Sequence, residues 1–254
     1  MPLTDEPLDT GYREMYNLEF STAHDTFRSW QQSHPEDPMG YVSDAAAYLF
    51  SEFDRLHVLE VELFTDDKKF ASRHKLAPDP AVKAAFDKDL AISDQLASRM
   101  LAVSAGSEQA MFAQILANGL RGDYAAMIEK RNLAGLSYMK SSRSIAEKLL
   151  GRNPQYYDAY LAIGVENYLL GVTPAPVRWL LRFSGAETNK QEGIKRLRLT
   201  ASNGHYLAPY ARLLLAVAAL RDKDAAGARA LLEDLSREFP HNHLYATELA
   251  RLAR

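Results

Sequence analysis

The chain of 254 residues has no cysteine, which excludes disulfides, thiolate metal sites and cysteine nucleophiles. Val, Ile and Thr together number only 24. That is too few for a sheet-dominated protein, because strands favour β-branched residues. Long apolar runs are also missing. The longest, Leu213 to Leu220, is eight residues, against the roughly 20 that a membrane-spanning helix needs. No excess of basic charge exists either: 30 Lys and Arg against 33 Asp and Glu give −3, which argues against bulk nucleic-acid binding. The charge is unevenly spread, since residues 1–70 carry a net −10 and the remainder +7. We read these as solvated helix faces. The start, Met1-Pro-Leu-Thr-Asp-Glu-Pro7, is acidic and without an apolar run, so a signal peptide is not expected there. As it stands the chain is expected to be soluble and cytoplasmic, and exported only through a leader preceding these residues.

What is present points to helices. Ala (37) and Leu (35) dominate a chain that is 47% apolar and 25% charged, a composition that favours helix and supplies a core. Prolines punctuate it, and none occurs between Pro80 and Pro154. Reading between these marks predicts helices over 10–18, 21–34, 39–64, 81–104, 107–120, 123–150, 155–170, 187–203, 207–221, 224–238 and 242–253. Insertions are expected at about 65–80 and 171–186. No segment alternates as a strand does. The expectation is one all-α domain over residues 1–254.

A spacing recurs in this pattern. Ala23, Phe27, Trp30 and Pro35 are separated by 4, 3 and 5 residues, as are Ser142, Ala146, Leu149, Pro154 and Ala228, Leu232, Leu235, Pro240. A small residue lets a second helix approach a first closely. Residues four and seven later lie on the same face and fill the groove, and proline closes the helix. The segments Leu18-Glu-Phe20, Gly122-Asp-Tyr124 and Asp222-Lys-Asp224 are expected to be the turns inside the hairpins. This pattern resembles the tetratricopeptide (TPR) repeat of about 34 residues, with Tyr160, Ile163, Gly164 and Tyr168 approximating its first-helix signature. The prolines depart from a regular array: Pro35 to Pro154 is 119 residues and Pro154 to Pro240 is 86. In the second half, the segment Gly171 to Gly185 around Trp179, then Glu192-Gly-Ile194 and Ala208 to Leu215, is similar to bacterial TPR proteins of unassigned role. It is also similar to the mitochondrial outer-membrane and inclusion-clearance TPR family. The resemblance implies a TPR-like helical-hairpin solenoid, a right-handed superhelix with irregular repeats, that binds a partner and has no enzymatic activity.

In such a solenoid the first helices line a concave groove. The expected peptide-binding residues are Tyr48, Glu52, Gln114, Asn118, Arg121, Tyr157, Tyr160, Asn167 and Arg212. The asparagines would bond a peptide backbone, and Arg121 and Arg212 would meet a carboxylate. The expected function is therefore a non-enzymatic adaptor for a protein or peptide, with no nucleic acid and no membrane contact. Two alternatives rest on other residues. His57 and Glu60, with Asp54, share one face of helix 39–64 and would begin a carboxylate–histidine site, but no second set matches them. They are read as a polar face. Residues 177–198, with Arg178-Trp-Leu-Leu-Arg182 and further basic residues, would make a membrane-peripheral module. Their apolar stretch is short, and Trp179, Leu180 and Phe183 are read instead as filling a gap between hairpins. A fourth reading is a structural subunit of a larger assembly. His241-Asn-His243 is read as a helix-capping loop. No catalytic, metal or cofactor motif is expected, since no phosphate loop, nucleophile elbow or paired-carboxylate motif is seen.

Overall fold

A computed structural model describes residues 3–58, 76–172 and 189–253, the side chains of 169–172 aside. The described residues are all-helical and contain no strand. They form eleven α-helices: α1 (Pro7–Tyr16), α2 (Phe20–Ser33), α3 (Pro38–Arg55), α4 (Pro80–Val103), α5 (Glu108–Asp123), α6 (Asn132–Arg152), α7 (Tyr160–Val172), α8 (Lys190–Asn203), α9 (Ala208–Arg221), α10 (Ala225–Glu238) and α11 (His243–Leu252). Each helix packs on the next in chain order, and α3 also packs on α1 and α5. The insertions expected at 65–80 and 171–186 lie mostly outside the described residues.

Five helices end in the same way. The residue after α2, α4, α6, α8 and α10 donates its N–H to the carbonyl four residues back, at 2.7–2.8 Å: His34 to Trp30, Ser104 to Met100, Asn153 to Leu149, Gly204 to Thr200 and Phe239 to Leu235. Counting back 11 residues from each terminus finds Ala23, Ser93, Ser142, Gly193 and Ala228, all small and buried. Counting back seven finds Phe27, Ala97, Ala146, Leu197 and Leu232, also buried. The small position admits the neighbouring helix, and the next positions fill the groove it leaves. In four of the five, a residue three further on donates back to the terminal carbonyl: Asp37, Ser107, Tyr156 and Asn242, at 3.0–3.1 Å. Three of these five ends carry the proline spacing read from the sequence. The other two have Ala105 and His205 where proline closes the pattern.

The opposite turns share a different device. Leu18, His57 and Lys223 have φ of 64°, 54° and 62°. Each donates to the carbonyl three back, and the residue after it donates to the carbonyl five back. This is the left-handed helix stop usually made by glycine. It also ends α3 at Arg55, short of the expected 64, and gives His57 a backbone role. The long helix expected over 123–150 is broken: a π-helical turn at Tyr124–Ile128 and Lys130 at φ 56° separate α5 from α6. The turn therefore falls at Lys130 and not at Gly122-Asp-Tyr124. A non-glycine residue in this conformation costs about 1 kcal/mol. Lys223 is exposed, so Lys223→Gly is expected to stabilise the fold by about 0.5–1 kcal/mol. The check is a higher urea midpoint with an unchanged slope; a lower midpoint would mean that the lysine side chain contributes more than the strain costs.

One connected core runs from Leu8 to Tyr245. The first helix reaches the last ones directly. Tyr16 Oη donates to the Tyr206 carbonyl at 2.9 Å, and Asn242 Nδ2 to the Tyr16 carbonyl at 2.8 Å. His241 N donates to Asn17 Oδ1 at 3.1 Å. The Tyr12 and Tyr206 rings lie 4.7 Å apart, and those of Tyr16 and Phe239 5.4 Å apart. These contacts tie α1 and the residue after it to the turn before α9 and to the turn before α11.

Candidate functional site

The nine expected groove residues are dispersed over α3, α5, the turn before α7, α7 itself and α9. Gln114 and Asn118 are brought together, since Asn118 Nδ2 donates to the Gln114 carbonyl at 2.8 Å. Tyr157 and Tyr160 also meet, with rings 6.3 Å apart. The others serve local packing. Glu52 is buried, accepts Arg55 Nε at 2.8 Å and takes the Asp79 N–H at 2.8 Å, so it anchors the start of α4. Asn167 is buried with its Oδ1 3.5 Å from Arg143 Nη1. Its removal is therefore a matter of stability as well as of binding. Arg121 pairs with Asp94 at 2.7 Å and Arg212 with Glu238 at 2.6 Å. Tyr48 Oη accepts from Arg28 at 2.7 Å. The Tyr157 carbonyl accepts from Thr200 at 2.8 Å, and Tyr160 Oη donates to the Pro154 carbonyl at 3.2 Å.

Glu60, the partner proposed for His57, lies outside the described residues, as do 177–188 of the basic segment. Within the described part of that segment, Lys190 pairs with Asp222, and Arg196 with Glu192 at 2.6 Å. Among the described residues no group of three His, Asp or Glu is arranged to hold a metal ion. No described helix is long and apolar enough to cross a membrane. In the His241–His243 loop it is Asn242 that caps α11, accepting the Leu244 N–H at 3.1 Å.

The fold pairs two carboxylates that the sequence keeps 45 residues apart. Asp89 on α4 and Asp44 on α3 are both buried and hydrogen-bonded to each other. His24 Nδ1 bonds Asp44, Arg28 stands 3.8 Å from it, and Lys88 lies beside Asp89. Burial first, then the Asp44 charge, pushes the Asp89 carboxyl up to about 7. Asp123, half-buried near Tyr210, is also pushed up to about 7 by loss of water around its carboxyl. The sign follows from proton counting. The unfolded chain releases the Asp89 proton near the usual aspartate value, while the folded chain keeps it until about 7. Stability from this group is thus full below about pH 4 and is lost as pH rises through 7. Asp89→Asn is expected to flatten that fall, so its melting temperature should gain on the wild type steadily from about pH 5 to about pH 8. A difference that does not change with pH would mean the proton is not held there.

One concave feature is a cleft of about 350 Å³. Its walls come from five separate stretches: Thr4, Glu6, Leu8 and Asp9; Trp30, Asp37 and Met39; Gln109; Tyr156; and His205 and Tyr206. Trp30 apart, these residues sit at helix N-termini, those of α1, α3, α5 and α9, and in the turn before α7. Polar bonds hold these walls. Asp37 accepts from Met39 N at 2.8 Å, Gln109 Nε2 at 2.9 Å and Trp30 Nε1 at 3.0 Å. Asp9 accepts from Thr4 N and Oγ1, both at 2.7 Å, and bonds His205 Nε2 at 2.8 Å. Phe112 lies behind both tyrosines, its ring 5.1 Å from Tyr156 and 6.2 Å from Tyr206. Below His205, the buried Asp158 accepts backbone N–H groups of His205 and Leu207 at 2.9 Å each. Compared with known proteins, the chain matches no family model, no curated protein and no solved structure. Its function must therefore be argued from its own surfaces.

Two features set the cleft apart. The hydroxyls of Tyr156 and Tyr206 have no hydrogen-bond partner among the described residues. Both rings are nevertheless fixed from behind by aromatic packing. A volume of this size, with preorganised walls and unused polar groups, suits a small ligand or one side chain of a larger one. Sequence reasoning missed it because its residues are scattered from Thr4 to Tyr206. Only short pieces of it, Thr4 to Asp9, Trp30 to Met39 and His205-Tyr206, are local in the chain.

Proposed function

We propose that the chain is a non-enzymatic binding protein: a TPR-like helical-hairpin scaffold that holds a protein or peptide partner. The five recurrent helix ends and the packing of each helix on its sequence neighbour support the hairpin-array reading. The observation that carries the binding role is the open cleft whose tyrosine hydroxyls are left without protein partners. A partner would contact the end of the array where the helix N-termini converge, rather than the line of Asn118 and Asn167.

The test is affinity capture from a lysate of the source organism, with wild-type protein beside Glu6→Arg and Asn118→Ala variants. Glu6 is exposed and makes no capping bond, so its replacement leaves the fold intact. A partner lost with Glu6→Arg and kept with Asn118→Ala supports the cleft. The reverse pattern returns the binding surface to the groove read from the sequence. No specific protein captured by the wild type sinks the adaptor reading.

A further inference from the structure

We infer that the junction of α2, α3 and α4 is a pH-sensitive latch, tightened in mild acid and loosened towards neutral pH, which holds α4 on the α2–α3 hairpin. Three helices meet there through charged side chains. Asp44 on α3 bonds His24 from α2, with Arg28 Nε 3.8 Å and Gln31 Nε2 3.5 Å away. Asp44 is also hydrogen-bonded to Asp89 of α4, and both aspartates are buried. Two carboxyl groups bond each other only through a proton between them. Once both are ionised, they repel at contact distance. The same contact is therefore a tie or a wedge, according to that proton.

The charges that reach Asp89 are Asp44 from α3, Arg28 from α2 and Lys88 on α4 itself. Arg28 is engaged by Asp44 and by Tyr48 Oη, and Lys88 is exposed. Glu52 and Arg55 of α3 lie at the far end of the contact, around Asp79. α5 also packs on α4, and its Arg121 is paired with Asp94, five residues beyond Asp89. Burial first, then Asp44, pushes the Asp89 carboxyl up to about 7. When α4 lifts away, Asp89 meets water and loses its proton near the usual aspartate value. Opening thus releases a proton between about pH 4 and pH 7. It becomes easier by up to about tenfold per pH unit in that window and levels off above it. Ser93 Oγ to the Pro38 carbonyl at 3.0 Å and Asp79 N to Glu52 Oε1 at 2.8 Å also tie α4 to α3. They stand on either side of Asp89 in sequence, so the loosening stays local.

Amide hydrogen exchange of the full chain tests this, read by mass spectrometry from pH 5 to pH 8 and corrected for the intrinsic rate at each pH. Protection of residues 80–93 should fall about tenfold or more between pH 5 and pH 7 and then level off, while that of α10 and α11 changes less than about threefold. Asp89→Asn keeps a hydrogen bond to Asp44 without a titrating proton, so it should hold the pH 5 protection throughout. Asp123→Asn removes the other carboxyl pushed up to about 7 and should leave the fall in place. A fall that survives in Asp89→Asn, or vanishes in Asp123→Asn, puts the titrating group elsewhere and overturns the inference. An equal fall along the whole chain means that the proton bears only on global unfolding, and overturns it too. So does an absence of any fall in the wild type.

Discussion

Asp158→Ala is expected to lower the stability of the whole protein by about 3–5 kcal/mol, or roughly 10 °C in melting temperature for a chain of this size. Four of the five recurrent turns close on their own backbone, but the fifth does not. After α8, the N–H groups of His205, Tyr206 and Leu207 point at the Asp158 carboxylate, at 2.9–3.4 Å. Asp158 is buried, and burial pushes its carboxyl up while those N–H groups hold it down. Removing it leaves several backbone donors without an acceptor, each at about 1–3 kcal/mol. The relief of desolvating one carboxylate offsets only part of this. The damage does not stay local. The same turn carries His205 to Asp9, and Tyr206 to Tyr12 and Tyr16, so it also joins the first helix to the last ones. Asp158→Asn keeps one acceptor and should cost about half as much. Thermal melts of the two variants decide this. A shift under about 2 °C for the alanine would mean that water replaces the carboxylate.

That turn also marks where sequence reading fell short. The 4, 3, 5 spacing was legible at α2, α6 and α10 because proline closes it at positions 35, 154 and 240. At α4 and α8 the geometry is the same, but Ala105 and His205 hide it, and at α8 an aspartate 46 residues upstream supplies the closing bond. The helix stop at Lys130 was illegible for a related reason. Residues 123–150 contain neither proline nor a glycine at the stop, and a left-handed lysine leaves no compositional trace. The all-helical character was plain, because Ala, Leu and punctuating prolines are local signals. The cleft was not, because its residues, Trp30 apart, sit at what read as ordinary helix N-termini: Glu6 before Pro7, Asp37 before Pro38, Glu108-Gln109 in a first turn. Acids at such positions are expected for capping alone. Only their convergence, with two idle tyrosine hydroxyls between them, makes a site. The dispersed groove residues went the other way. Polar residues on first helices suggested an inner surface, and ion pairs within the fold absorb Glu52, Arg121 and Arg212.

Two glycines allow the close-approach argument to be tested with its own control. Gly193 occupies the small position of α8. A Cβ there would stand 2.6 Å from the Tyr168 backbone nitrogen and 2.9 Å from the Gly164 carbonyl oxygen on α7. These are backbone atoms, so no side chain can swing aside, and the two helices must separate. The Leu197 and Gly164 contact next to it, 3.0 Å from a Cβ on Gly164, would open with them. Helix propensity acts in the opposite direction, since alanine is favoured over glycine by about 1 kcal/mol in a helix interior. Overpacking against a rigid neighbour costs about 1–3 kcal/mol and occasionally more. With backbone on both sides, the upper end applies, and Gly193→Ala is expected to destabilise by about 2–3 kcal/mol net. Gly119, inside α5, has nothing within 4 Å of its would-be Cβ. Gly119→Ala should therefore show the propensity term alone and stabilise by up to about 1 kcal/mol. Urea unfolding of both variants measures the pair. Opposite signs mean that close helix approach, not glycine flexibility, explains the small residue in α8. If both variants gain stability, α7 and α8 separate at little cost, and their tight crossing does not hold this part of the fold together.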